Sequence, residues 1–191
     1  MGIVFKQSAK NLVTTYLGFG IGAINTLFLY TNFLEQEYYG LVSFLLSAAN
    51  LIWPMMAFGV HNTLVKFYSA YDSKEEKDKL LSMILFMPLV IALVLGIIGI
   101  FSYDLILDYF SEGNALVQPY VWLIFVLALA TAYFEVFFSW SKVNYQSVFG
   151  NVMREVFHRI CISLLLLCVF FGWLTVEEFI YSISGIFVLR A

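Results

Sequence analysis

Charge is what this sequence is short of. Only 12% of its 191 residues are Asp, Glu, Lys or Arg, about half of the 25% that a soluble domain carries. So few charges cannot clothe a water-facing surface, and 62% apolar residues, 19% aromatics and a mean hydropathy of +0.88 deepen the deficit. A soluble enzyme, a nucleic-acid binder and a disordered tail are excluded on this ground. Cysteine is scarce as well. Cys161 and Cys168 stand in one apolar run, where a helix would hold them about 10 Å apart along its axis, too far for a disulfide. His61 and His158 are isolated and form no metal-ligand pattern. A phosphate-cradling glycine loop, a paired acidic motif and a nucleophile elbow are missing too. The expectation is therefore no enzyme, no metal and no cofactor.

What is present is length without charge. A bilayer core of about 30 Å needs roughly 20 apolar residues. Uncharged stretches run from Asn11 to Leu34, Tyr38 to Val65, Leu80 to Tyr103, Gly113 to Phe134 and Ile160 to Val176. The fifth reaches a full span if Gly150 to Arg159 supply its first turns, and a sixth apolar stretch opens at Phe179. These stretches predict an all-α integral membrane bundle of five complete helices and a truncated sixth, at about 11–34, 40–66, 80–103, 118–141, 150–172 and 176–191. They form one transmembrane lobe over 1–191. The first stretch is too long for a signal-peptide core, and Glu35, Gln36 and Glu37 follow it instead of a small-residue cleavage site. Ser73 with Glu76, and Thr175 with Glu178, have capping-box spacing.

Basic residues set the expected orientation. Lys6 and Lys10 precede span 1; Lys66, Lys74, Lys77 and Lys79 lie between spans 2 and 3; Lys142, Arg154 and Arg159 lie between spans 4 and 5. The alternate connections hold Glu35 and Glu37, then Asp104, Asp108 and Glu112, then Glu177 and Glu178, and no Lys or Arg. Nine of the ten basic residues thus share one side, which places the N-terminus in the cytoplasm. The tenth, Arg190, falls within the sixth stretch.

Polar residues recur at helical spacing in three spans. Asn11, Thr15, Gly18, Gly22, Asn25 and Asn32 mark span 1; Ser43, Ser47, Asn50, Pro54 and His61 mark span 2; Ala128, Thr131, Glu135, Ser139 and Lys142 mark span 4. Span 3 between Met83 and Phe101 offers only Pro88 and two glycines and reads as lipid-facing. Such stripes serve either helix packing, where Gly18 and Gly22 make an ordinary small-residue contact, or a shared hydrated cavity. Glu135 favours the cavity, because a charge near the bilayer centre costs on the order of 2.5–3.5 kcal/mol unless it finds a partner, a proton or water. Asn25, Asn50, His61, Glu135 and Arg190 are the cavity candidates, and Glu135 and Arg190 lie at matching depth, which suggests a pair. Lys66, Lys142, Arg154 and Arg159 form a basic cytoplasmic mouth.

These residues carry a resemblance. The basic start from Phe5 to Asn11, then Asn25, then Glu37, Tyr38, Tyr39 and Gly40 at the outer hairpin, then Phe58 and Gly59 followed by Lys66, Phe67 and Tyr68, resemble the N-terminal half of oligosaccharide flippases. These are polysaccharide-biosynthesis membrane proteins of the multidrug/oligosaccharidyl-lipid/polysaccharide exporter superfamily. The resemblance implies two pseudo-symmetric lobes around a cavity that opens alternately to each side. It implies as substrate a polyprenyl-pyrophosphate-linked oligosaccharide, moved across a bacterial inner membrane for surface polysaccharide synthesis. On this reading the chain is a fragment whose partner is a missing C-terminal lobe of the same protein. The physics suits the role: a prenyl tail can stay in lipid while polar helix faces shelter the sugars and cations attract the pyrophosphate. Two alternatives stand beside it: a cation-coupled multidrug exporter of the same superfamily using Glu135, and a multi-span transferase acting on lipid-linked sugars.

Overall fold

The computed structural model describes residues 2–105, 107 and 115–191; Asp108 and Glu112 of the outer connection lie outside them. The described residues form helices and no strand. This follows from the solvent, since in hydrocarbon a helix satisfies every backbone donor and acceptor within one segment. Among the described residues, four helical runs are long and apolar enough to cross a membrane: Phe5–Phe33, Gln36–Ala57, Lys74–Phe101 and Leu116–Val143. The chain divides into two compact units, one made of Met1–Gly40 with Ser141–Arg190 and the other of Leu41–Trp140.

In the first unit, α1 (Ile3–Ile24) passes through a π turn at Asn25–Leu29 into α2 (Tyr30–Phe33). The later part runs from α7 (Ser147–Val152) through a second π turn, Met153–Phe157, into α8 (His158–Phe170) and then α9 (Val176–Arg190). The stretch expected as one helix over 150–172 is thus wound more widely near its start, and α8 and α9 each fall short of the roughly 20 residues of a full span. Between them Gly172, at φ 71°, lets the Trp173 N–H close back on the Cys168 carbonyl at 2.9 Å, the glycine ending of a helix. Thr175 and Glu178 then form the capping box that starts α9. Tyr30 stacks on Tyr39 at 5.1 Å and Phe33 meets Phe170 in a tilted contact at 4.6 Å, so aromatic rings hold the end of the unit near α2.

The second unit holds most of α3 (Gln36–Ala57), then α4 (Val60–Phe67), α5 (Lys74–Phe101) and most of α6 (Val121–Val143). Residues 40–66, expected as one helix, break between α3 and α4 because Phe58 and Gly59 both take left-handed backbone, at φ 47° and 73°. Ser73 and Glu76 cap α5 reciprocally, as their spacing requires. Val60, Leu64, Ile84 and Val136 form one core cluster, with Tyr68, Leu80, Leu81 and Met87 packed on it. α6 is the most enclosed of the four long runs, with 67% of its most apolar window buried against 17% for α5. α5 exposes Met83, Phe86, Leu93, Ile97 and Ile100, which suits a lipid-facing span.

Candidate functional site

The polar face of α1 meets a second polar face, on α7 and α8, rung by rung. Gln7 binds the Tyr145 carbonyl and accepts from the Ser147 hydroxyl at 3.1 Å. Asn11 donates to Ser147 Oγ at 3.2 Å, and Asn151 Nδ2 donates to the Asn11 carbonyl and to Thr15 Oγ1 at 3.1 and 3.2 Å. At the far end Asn25 Nδ2 donates to the Arg159 carbonyl at 2.9 Å, and the Ser163 hydroxyl donates to Asn25 Oδ1 at 2.6 Å. Ser147, Asn151, Glu155, Arg159 and Ser163 recur at every fourth residue, one face of a helix.

Glycine closes the middle of this ladder. A Cβ at Gly18 would run into the backbone carbonyl of Glu155, and one at Gly22 would lie 3.3 Å from the Arg159 guanidinium. Small residues let two backbones approach closely, the source of helix association in lipid. Each π turn starts beside this contact: Asn25 opens the first and Glu155 lies within the second. The Arg159 carbonyl, two residues past the second π turn, accepts from Asn25 at 2.9 Å and lies 2.9 Å from Ser163 Oγ.

Cations gather at the same level. Glu155 bridges Arg159 at 3.5 Å and Arg154 at 3.8 Å. The Arg190 guanidinium stacks over the Phe187 ring at 4.6 Å, and His158 meets the same ring edge-on at 5.9 Å. His158 is within electrostatic reach of both Arg159 and Arg190. Of the expected site residues, the structure therefore brings together Asn25, Arg159, Arg154 and Arg190 in the first unit. Arg154 and Arg159 share the Glu155 carboxylate, and Arg190 lies with His158 against the Phe187 ring; guanidinium groups so grouped can bind a multivalent anion, because the planar fork matches phosphate as well as carboxylate.

The remaining candidates are distributed otherwise. Lys142 is exposed on the last turn of α6. In the second unit Asn50 is exposed with Ser43 and Ser47, while Leu41, Val42, Leu45 and Ala49 of the same helix are buried. Glu135, 7% exposed, is buried with Thr131 and Ser139. His61 lies against Trp53 at 5.5 Å, and Lys66 over Phe67 at 5.1 Å. The three stripes thus differ: that of α1 is a packing seam, that of α3 is open, and that of α6 is enclosed. The Ser147-to-Ser163 face went unread in the sequence, although its fourfold spacing was legible there.

Long apolar helices without a strand among the described residues define a multi-span, all-α integral membrane protein. The chain belongs to the polysaccharide biosynthesis protein family, whose family model matches residues 4–190. No curated protein and no solved structure matches it significantly.

Proposed function

We propose that this chain is part of a flippase that carries a polyprenyl-pyrophosphate-linked oligosaccharide across the bacterial inner membrane by alternating access, with a second lobe and without catalysing a chemical change. In this reading α7 and α8 together make a fifth span, α9 begins a sixth, and the N-terminus is cytoplasmic. The observation that carries the reading is the cationic group of Arg154, Arg159 and Arg190 beside His158. It suits a pyrophosphate, whose several charges outbid a single carboxylate, and family membership supports the glycan. The open polar face of Ser43, Ser47 and Asn50 suits sugars, since amide and hydroxyl groups at membrane depth belong against protein or a water-filled cavity.

Glu135, buried within α6, supports a second reading, a cation-coupled drug exporter. Binding separates the two. The protein in lipid nanodiscs should bind a prenyl-pyrophosphate glycan in competition with inorganic pyrophosphate. Binding of a lipophilic cation that depends on Glu135, with none of the glycan lipid, would favour the exporter.

A further inference from the structure

We infer that Glu155 is a built-in competitor for the pyrophosphate: its carboxylate occupies Arg159 and Arg154 until the phosphate oxygens of an incoming lipid-linked glycan displace it. The inference deepens the reading above and rests on it.

Three observations carry it. The first is looseness. Glu155 stands 3.5 Å from Arg159 and 3.8 Å from Arg154, whereas a charge-assisted hydrogen bond that holds its geometry is about 2.7–2.9 Å. A carboxylate at these distances neutralises the guanidinium groups without locking them. The second is an asymmetry of anchoring. The Arg159 backbone is fixed, its carbonyl accepting from Asn25 at 2.9 Å with Ser163 Oγ also at 2.9 Å, and the Gly22 face leaves room for its guanidinium. The Glu155 backbone is likewise pinned, against Gly18. The Glu155 carboxylate, held to Arg159 and Arg154 by these two long ion pairs, can swing off Arg159 while both backbones stay in place.

The third is partial burial. The side chains of Glu155 and Arg159 are 22% and 28% exposed, so their attraction is screened less than that of a surface pair, and a bare cationic group there would be costly to maintain. An internal anion lowers that cost. It also sets a threshold. A singly charged anion gains little by replacing an equal charge that is already tethered, whereas a pyrophosphate, with several oxygens for Arg154 and Arg159 together, gains enough to displace it. Glu155 is thereby a specificity-determining residue that excludes monovalent anions.

The test is titration of the purified 191-residue protein in detergent with inorganic pyrophosphate, and separately with inorganic phosphate. Glu155→Gln should tighten pyrophosphate binding by about threefold to tenfold, narrow the preference for pyrophosphate over phosphate, and lose binding again when Arg159→Gln is added. Glu155→Asp, which keeps the charge but withdraws it by one methylene, should shift affinity in the same direction, and it decides the matter if Glu155→Gln does not fold. If wild type binds pyrophosphate through Arg159 but neither Glu155 variant binds more tightly, the competitor is overturned while the pyrophosphate site stands. If none of these proteins binds pyrophosphate, the site itself is refuted, and the competitor with it.

Discussion

Two glycines on one helix, two residues apart, should respond in opposite ways to the same substitution. At Gly18 a methyl group would collide with the Glu155 carbonyl, a backbone atom that cannot rotate aside. At Gly20 nothing lies within 4 Å of the added carbon. Alanine in an exposed helix interior gains about 0.8–1 kcal/mol over glycine by propensity, and Gly20→Ala should realise part of that. Gly18→Ala has the same gain but must force α1 from the second π turn, an overpacking cost of about 1–3 kcal/mol. Separation also strains the flanking rungs, Asn11 to Ser147 and Asn25 to Arg159, each worth about 0.6 kcal/mol in a membrane. Adding these, Gly18→Ala should be destabilising by about 1–3 kcal/mol and should lie about 2–4 kcal/mol below Gly20→Ala. Reversible unfolding in mixed micelles with increasing denaturing detergent reads the difference directly. Equal stability of the two variants, or a stabilised Gly18→Ala, would refute the seam between α1 and the α7–α8 face.

The end of the ladder should show energetic coupling. Asn25→Leu and Ser163→Ala should each cost about 0.6–1.7 kcal/mol, and the double variant should cost less than their sum, as a shared hydrogen bond requires; strict additivity in the same unfolding assay would remove the bond. Orientation has its own readout. Cysteines placed at Glu35 and Glu177 should react with an impermeant thiol reagent in intact cells and a cysteine at Lys77 should not, because basic residues cluster on the Lys77 side; labelling of Lys77 would reverse the topology.

The helical class was legible in the sequence because it follows from solvent: long uncharged stretches have one stable conformation in hydrocarbon, and Ser73 and Thr175 announce two helix starts by spacing alone. Breaks in the helices were less legible. Phe58 and Gly59 adopt left-handed backbone in a run with nothing but one glycine to mark it, and the two π turns lie where segments distant in sequence meet. The polar stripes were seen on α1, α3 and α6, but spacing says only which side of a helix is polar, not what that side meets. Asn25 illustrates the point. Its position on the stripe suited a cavity or a seam equally, and the amide engages Arg159 and Ser163. Arg154, Arg159 and Arg190 were visible as separate cations; their grouping needed α8 and α9 to bring His158 and Phe187 between them.

The measurement that bears most directly on the proposed role is translocation in proteoliposomes. A fluorescent prenyl-pyrophosphate glycan is confined to one leaflet, its appearance in the other is timed, and the products are checked for new glycosidic bonds. The account predicts transfer of the unaltered glycan lipid, slowed about tenfold or more by Arg159→Gln or Arg190→Gln, since each removes one of the charges that must be paired as the pyrophosphate leaves water. Transfer unaffected by either substitution, or an altered glycan among the products, would contradict it.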